Sequence, residues 1–239
     1  MFIPNSLRLF FFGAFILVGA VVFTTAQSSL FNIPTTDVLD RGLTYVEADL
    51  DAHFAQNISD KWQSVGFMVV HGMSRRLEVG VNGYAVRAGQ TFEPFEVQPN
   101  LKFKLYDNES SGLSISTGAI GYLPFRKRFR ENASISFYAL ASKQFDGDRS
   151  PRLTGGGYQI IGSTPGSTAS RGFLVGFEQP VMERLSLIAD WNTGKNRFGY
   201  AAAGFGLAVS KKSYLSSAYY FGNQGRGNNS FGIYYGLTF

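Results

Sequence analysis

The final stretch, FGIYYGLTF from Phe231 to Phe239, decides the fold. Phe231, Ile233, Tyr235, Leu237 and Phe239 stand at every second position. Successive side chains of a β-strand point to opposite faces, so these five share one face of an extended strand. On a helix they would be scattered around the axis. The residues between them, Gly232, Tyr234, Gly236 and Thr238, are small or carry a hydroxyl. One face is therefore apolar and large, and the other is not.

Working outward, the same pattern recurs through the chain. Each unit is roughly 8–12 residues of alternation followed by a turn rich in Gly, Asn, Asp, Ser or Pro. Thr44 to Phe54 sets Val46, Ala48, Leu50, Ala52 and Phe54 against Tyr45, Glu47, Asp49, Asp51 and His53. Leu77 to Ala85 sets Leu77, Val79 and Val81 against Glu78, Asn82 and Tyr84. Glu96 to Tyr106 sets Val97, Leu101, Phe103 and Leu105 against Gln98, Asn100, Lys102 and Lys104. Leu113 to Leu123, Ala133 to Ala141, Phe173 to Phe177 and Leu185 to Asn192 alternate likewise. Four further segments, 62–72, 153–162, 198–209 and 213–222, mix small and apolar residues on both faces and leave the register open. Counting them predicts twelve strands. A tilted membrane strand uses about 9–11 residues, and single-chain bacterial barrels have even strand numbers. The expected fold is all-β, a transmembrane antiparallel up-and-down β-barrel of about twelve strands, with ten or fourteen also compatible. Residues 42–239 would form it and 27–41 would be an N-terminal leader.

Composition agrees. Glycine is 28 of 239 residues, Phe 23 and Tyr 12, with no Cys, 2 His and a net charge of +5. Charged residues make up 16% against a usual level of about 25%. The chain is too apolar for disorder. Without cysteine there is no disulfide framework or thiol ligand, so no cofactor or metal is expected. The charge is too small and dispersed for a nucleic-acid face, so no nucleic-acid partner is expected.

Leu9 to Phe23 (LFFFGAFILVGAVVF) is fifteen residues without a charge. A spanning helix needs about 20. Arg8 precedes it and Thr24, Thr25 and Ala26 follow, the pattern of a secretory signal peptide over residues 1–26 cleaved after Ala26. An uncleaved anchor is the alternative.

Alternation alone does not separate a membrane barrel from a soluble sandwich, because in one the apolar face meets lipid and in the other the core. The signal segment and the aromatics at strand ends, Tyr106, Phe125, Tyr219, Tyr220, Phe221 and Phe239, favour the membrane. The five-position alternation ending in Phe239 resembles the C-terminal signature of bacterial outer-membrane proteins. That resemblance implies the outer membrane of a Gram-negative bacterium, with barrel assembly machinery as a partner through the last strand and contact with outer-membrane lipids and lipopolysaccharide.

Ionised groups are costly on a lipid face, so the charged face is assigned to the lumen. The candidate lumen-lining residues are Glu47, Asp49, Asp51, Glu78, Asn82, Glu96, Lys102, Lys104, Glu178, Asp190 and Asn192. They would form either a selective lining or a paired network filling a narrow lumen. The basic run Arg126 to Arg130 falls on an expected external loop, where it would meet lipopolysaccharide phosphates or simply be solvated. Pro180 reads as turn punctuation. His53 and His71 are the only bases for a hydrolytic site, His71 three residues before Ser74. Nothing supplies a third orienting group, so no enzymatic activity is expected.

Three stretches resemble an outer-membrane family associated with phenol and aromatic-compound degradation: Phe31 to Leu50 (FNIPTTDVLDRGLTYVEADL), Ser74 to Tyr84 (SRRLEVGVNGY) and Gly176 to Gly206 (GFEQPVMERLSLIADWNTGKNRFGYAAAGFG). The resemblance implies passive traffic of small solutes, apolar ones included. The functional expectation is a narrow pore or transporter-like channel. Its alternatives are a structural or adhesion barrel with a plugged lumen and a lipid-modifying enzyme.

Overall fold

The computed structural model describes residues 28–126, 131–147, 149–162 and 167–239. The expected signal segment with its expected cleavage point, most of the basic run and part of the 163–170 loop lie outside them. Among the described residues there are thirteen strands: β1 (Thr44–His53), β2 (Trp62–Gly72), β3 (Leu77–Ala88), β4 (Thr91–Phe92), β5 (Glu96–Asn108), β6 (Leu113–Pro124), β7 (Ser134–Gln144), β8 (Arg152–Gly162), β9 (Arg171–Met182), β10 (Leu185–Asn192), β11 (Tyr200–Ala208), β12 (Ser213–Gly222) and β13 (Ser230–Thr238). β4 only folds back on the end of β3. The other twelve pair antiparallel with their neighbours, and β1 pairs with β13, so the sheet closes. The seam runs from Tyr45↔Thr238 to Ala52↔Phe231 and is extended by reciprocal backbone bonds between Thr44 and Phe239. Among the described residues no helix is long and apolar enough to cross a membrane.

The outer face settles the choice that alternation left open. Leu50, Val65, Phe67, Val79, Val81, Leu101, Phe103, Phe137, Leu153, Phe173, Leu187, Phe205, Ile233 and Leu237 all point outward and are exposed. Glu47, Asp49, Glu78, Lys102, Asp190 and a row of serines are buried inside. A water-soluble sandwich would reverse this, and so continuous an apolar exterior suits hydrocarbon.

Connections at the end that carries Thr44 and Phe239 (the terminal end) are two to seven residues long, and those at the opposite loop end are seven to nine. Two irregularities re-aim side chains. A bulge between Lys104 and Tyr106 turns Leu105 and Tyr106 both outward and leaves Asp107 facing inward to Ser114. A second, beside Leu185, lets Pro180 sit inside β9 rather than in the turn that sequence suggests. The turn shrinks to Glu183 and Arg184, and proline's missing donor is tolerated next to the irregularity.

Inward-pointing tyrosines lie over glycines of the adjoining strand: Tyr84 over Gly66, Tyr138 over Gly118, Tyr214 over Gly206 and Tyr45 over Gly236. A methyl group at any of these glycines would overlap the ring or its hydroxyl. Much of the glycine and tyrosine excess is thus one packing device, in which large side chains fill a narrow interior by crossing bare backbone. Replacing outward-facing Val81, at the middle of β3, by arginine should destabilise the folded barrel by about 2–4 kcal/mol in lipid vesicles, read by denaturant unfolding. A change near zero would mean that this face does not lie in hydrocarbon.

Candidate functional site

The leader does not hang outside the barrel. Residues 28–40 run into the lumen from the terminal end and turn back on themselves. Leu30 N–H donates to Ile33 O at 2.9 Å, Thr35 N–H donates to Ser28 O at 3.1 Å, and Ser29 bridges Pro34. The chain leaves the lumen through Gly42, whose φ of +86° is the left-handed conformation that glycine adopts without strain. Gly42 N–H reaches Gly72 O at 2.8 Å, and Gly72 itself lies so close to the carbonyls of Leu39 and Asp40 that no side chain fits there.

The tip of the turn is seated on Asp190. The N–H groups of Phe31, Asn32 and Ile33 donate to Asp190 Oδ2 at 2.8, 2.6 and 3.3 Å, and Asn32 Nδ2 donates to Oδ1 at 2.7 Å. Four donors on one buried carboxylate compensate its lost hydration without any cation. Leu30 and Ile33 pack into a wall made by Tyr138, Leu140, Tyr158, Ile160, Leu174 and Ile188. Phe31 lies against the rings of Tyr220 and Tyr234, with centroids at 6.3 and 6.4 Å. Leu39 joins Tyr45, Met68 and Val70.

The base of the segment is held by charge. Lys102 Nζ and Glu78 Oε1 form an ion pair at 3.0 Å, both almost fully buried. Lys102 also donates to Ser28 O at 2.8 Å and Asp37 O at 2.6 Å, while Glu78 accepts from Leu39 N–H at 2.8 Å and from the Ser28 hydroxyl. Arg152 forks onto both oxygens of Asp37 and donates to Thr36 Oγ1 at 2.6 Å and Ser142 Oγ at 3.0 Å. Glu178 stands 4.0 Å behind Arg152, and Lys104 lies 4.0 Å from Asp37 and 2.9 Å from Asp107. Burial pushes the Asp37 carboxyl up, but Arg152 and the two lysines outweigh it and hold the group below its ordinary range.

A second closure comes from the loop end. The connection from β10 to β11 folds inward, with Asn196 buried and its Nδ2 donating to Tyr158 Oη at 2.7 Å. Arg197 lies over Phe198 and Tyr122, 4.5 and 5.0 Å from the ring centroids, and donates to Glu96 Oε2 at 2.7 Å on the opposite wall. Between this latch and the seated turn lies a cavity of about 400 Å³, lined by Glu47, Asp49, Asp51, Tyr84, Asn82 and Asn100 among others.

All eleven residues assigned to the lumen from sequence point inward, but they do different things. Glu78, Lys102, Lys104, Glu178 and Asp190 hold the leader or its partners. Glu96 holds the loop, Asn82 bonds Asn100 at 3.2 Å, and buried Asn192 follows Asp190 on β10. Sequence reasoning missed Asp37, Arg152 and Arg197. Asp37 is the first acid of the sequence, and Arg152 shares inward parity with Thr154, so both left a faint signal. Arg197 sits on a loop, where parity says nothing. His71 Nδ1 bonds Thr44 Oγ1 at 2.9 Å, while Ser74 Oγ accepts the N–H groups of Arg76 and Leu77 at 3.2 and 3.1 Å. These two side chains do not form a serine–histidine pair.

The fold is that of an outer-membrane β-barrel. Among solved structures it resembles an outer membrane channel of Pseudomonas putida F1, with a TM-score of 0.55 and 14% identity over 85% of this chain and 98% of that one. It also aligns with the Salmonella typhi outer membrane phospholipase, crystallised as a dimer with bound calcium (TM-score 0.49, 13% identity, 82% and 89% covered), and with the Acinetobacter baumannii outer membrane protein Omp33 (0.43, 8%, 82% and 97%). No family model and no curated protein matches the chain.

Replacing Asp190 by alanine leaves three N–H groups and an amide facing no acceptor. Hydrogen exchange at Phe31 to Ile33 should then rise at least tenfold, since a hydrogen bond to a charged group contributes about 1.5–3 kcal/mol; unchanged protection would show that the tip is held by packing alone. Because the Asp37 pKa is depressed, its contact with Arg152 should persist from neutral pH down to about 4 and fail only as pH falls through the lowered value. Exchange at Asp37 measured across that range checks the sign.

Proposed function

We propose that the protein is an outer-membrane channel for small solutes, closed at rest by its own residues 28–40. One observation carries this reading: the lumen is shut by a hydrogen-bonded coil rather than by a sealed core of wall side chains. The coil is joined to the wall by hydrogen bonds and side-chain packing and not by the strand ladder, so it can move without opening the sheet. The barrel of Pseudomonas putida that shares this fold is described as a channel, which supports the proposal at the level of architecture. The resemblance to barrels linked to aromatic-compound degradation extends it to small aromatic or apolar solutes. Transport would be passive diffusion, with no cofactor and no catalytic step. In this reading residues 1–26 direct export and are removed, the terminal end faces the periplasm, and the exposed belt meets outer-membrane lipid and lipopolysaccharide.

The same network also favours a second reading, a permanently plugged barrel that serves envelope integrity or adhesion. Planar-bilayer recordings separate the two. The full chain should show little unitary current. A chain lacking residues 28–38, and independently Asp190→Ala, should show discrete openings with several-fold larger conductance. Silence from both variants at every salt concentration would leave the sealed barrel. Free conduction by the full chain would show that the segment does not close it.

The C-terminal strand is proposed to be what the assembly machinery reads. The backbone of Phe239 bonds Thr44 across the seam while its ring is exposed. Phe239→Ala keeps those backbone bonds, so a lower fraction of heat-modifiable barrel in outer-membrane fractions would isolate the ring's role. Normal assembly of that variant would remove it.

A further inference from the structure

Two turns at the terminal end are built alike. The β2–β3 turn reads Met73-Ser74-Arg75-Arg76 and the β11–β12 turn reads Val209-Ser210-Lys211-Lys212, an apolar residue, a serine and two bases in each. Their backbones match as well. Met73 and Ser74 N–H both donate to Leu77 O, at 2.9 and 3.1 Å, and Ser74 Oγ accepts Arg76 N–H at 3.2 Å. Val209 and Ser210 N–H both donate to Ser213 O, at 3.0 and 3.2 Å, and Ser210 Oγ accepts Lys212 N–H at 3.1 Å. The serine fixes each turn, so its two bases project from a frame that is already ordered.

The twin turns flank the seam. Thr238 N–H donates to Lys212 O at 2.8 Å, Phe239 and Thr44 exchange backbone bonds, and Gly72 N–H donates to Leu43 O at 3.0 Å. One hydrogen-bonded rim therefore joins both turns, with Arg41 between them. Segments 40–43, 73–76 and 209–212 hold five bases and one acid, Asp40. The other three connections at that end, 109–112, 145–151 and 183–184, hold four acids and two bases. Arg41, Arg75, Arg76, Lys211 and Lys212 are all exposed, and none forms an ion pair among the described residues. The rim is thus positive on the seam side alone.

The apolar residues of the same segments say what covers these charges. Met73 and Val209 continue the outward parity of β2 and β11, and with Leu43 and Phe239 they are exposed at the lower edge of the apolar belt. Bases two residues beyond a side chain that meets hydrocarbon stand at the level of lipid headgroups, where clustered Lys and Arg attract anionic phospholipid. A free phosphate would leave the apolar neighbours uncovered, whereas acyl chains cover them. The turns lie four strand spacings apart, about 19 Å, so each serves its own headgroup.

We propose that the seam side of the terminal rim binds anionic phospholipid, one phosphate on Arg75 and Arg76 and another on Lys211 and Lys212, with the acyl chains against Met73 and Val209. This rests on the belt lying in hydrocarbon and holds whether or not the barrel conducts. The full protein in neutral detergent is examined by native mass spectrometry with dioleoylphosphatidylglycerol, dioleoylphosphatidylcholine or inorganic phosphate added. Phosphatidylglycerol should be retained at least tenfold more tightly than phosphatidylcholine, and inorganic phosphate should not displace it. Arg75→Gln with Arg76→Gln, and separately Lys211→Gln with Lys212→Gln, leave the backbone bonds of the turns in place and should retain heat-modifiable migration. Each pair should weaken phosphatidylglycerol retention at least tenfold at one of two sites, since a base near an anionic surface changes affinity about fivefold. Arg87→Gln with Arg226→Gln, at the loop end, should leave the preference unchanged. The proposal is overturned if phosphatidylcholine is held as tightly, if both terminal pairs bind like the parent, if the loop-end pair loses as much, or if inorganic phosphate displaces the lipid.

Discussion

In hydrocarbon a backbone N–H or C=O without a partner costs several kcal/mol, and every strand of this protein is arranged to avoid that cost. The seam between β1 and β13 is where the condition is met. Once the sheet closes, twelve strands define a ring too wide to be filled by short side chains and too narrow to be an open porin. The interior must then be filled, and two devices fill it. Tyrosine rings lie over glycines of adjoining strands, and the segment 28–40 occupies much of the remaining space. The apolar exterior, the small inward residues and the buried leader all follow from one closed ladder.

Closure also places charge in a confined volume, where each acid needs its own solution. A fully desolvated pair such as Glu78–Lys102 costs about 3–5 kcal/mol when one partner is removed, whereas an exposed pair is worth about 0–1 kcal/mol. Glu96–Arg197, with Arg197 at 37% exposure, belongs nearer the second class. The base of the leader is accordingly the firm anchor, and the loop latch is the weaker of the two closures. Between them stand Glu47, Asp49 and Asp51, which form no ion pair among the described residues.

Much of the barrel was legible because a membrane strand has a strict local code. The expected strand positions and the inward parity of all eleven lumen residues rest on period two alone. The code weakens where its premise fails. It assumes a wet interior, yet Ile160, Leu174 and Ile188 point inward because Leu30 and Ile33 lie against them. That is why segment 153–162, with Ile160 inward and Ile161 outward, shows no clear face. The leader carried no readable period, because a coil meets its walls at irregular intervals.

By itself the sequence determined the all-β barrel architecture, about twelve spanning strands and, where the alternation is clear, which side chains face inward. These depend on neighbours within a few residues and on a side-chain direction that reverses at every step. Only the tertiary structure decided what the lumen contains. The bonds that seat the leader join Asn32 to Asp190, Leu39 to Glu78 and Asp37 to Arg152, across 158, 39 and 115 residues of chain. No local pattern encodes such pairings, because they come into being when the barrel closes and brings its opposite walls within reach of one buried turn.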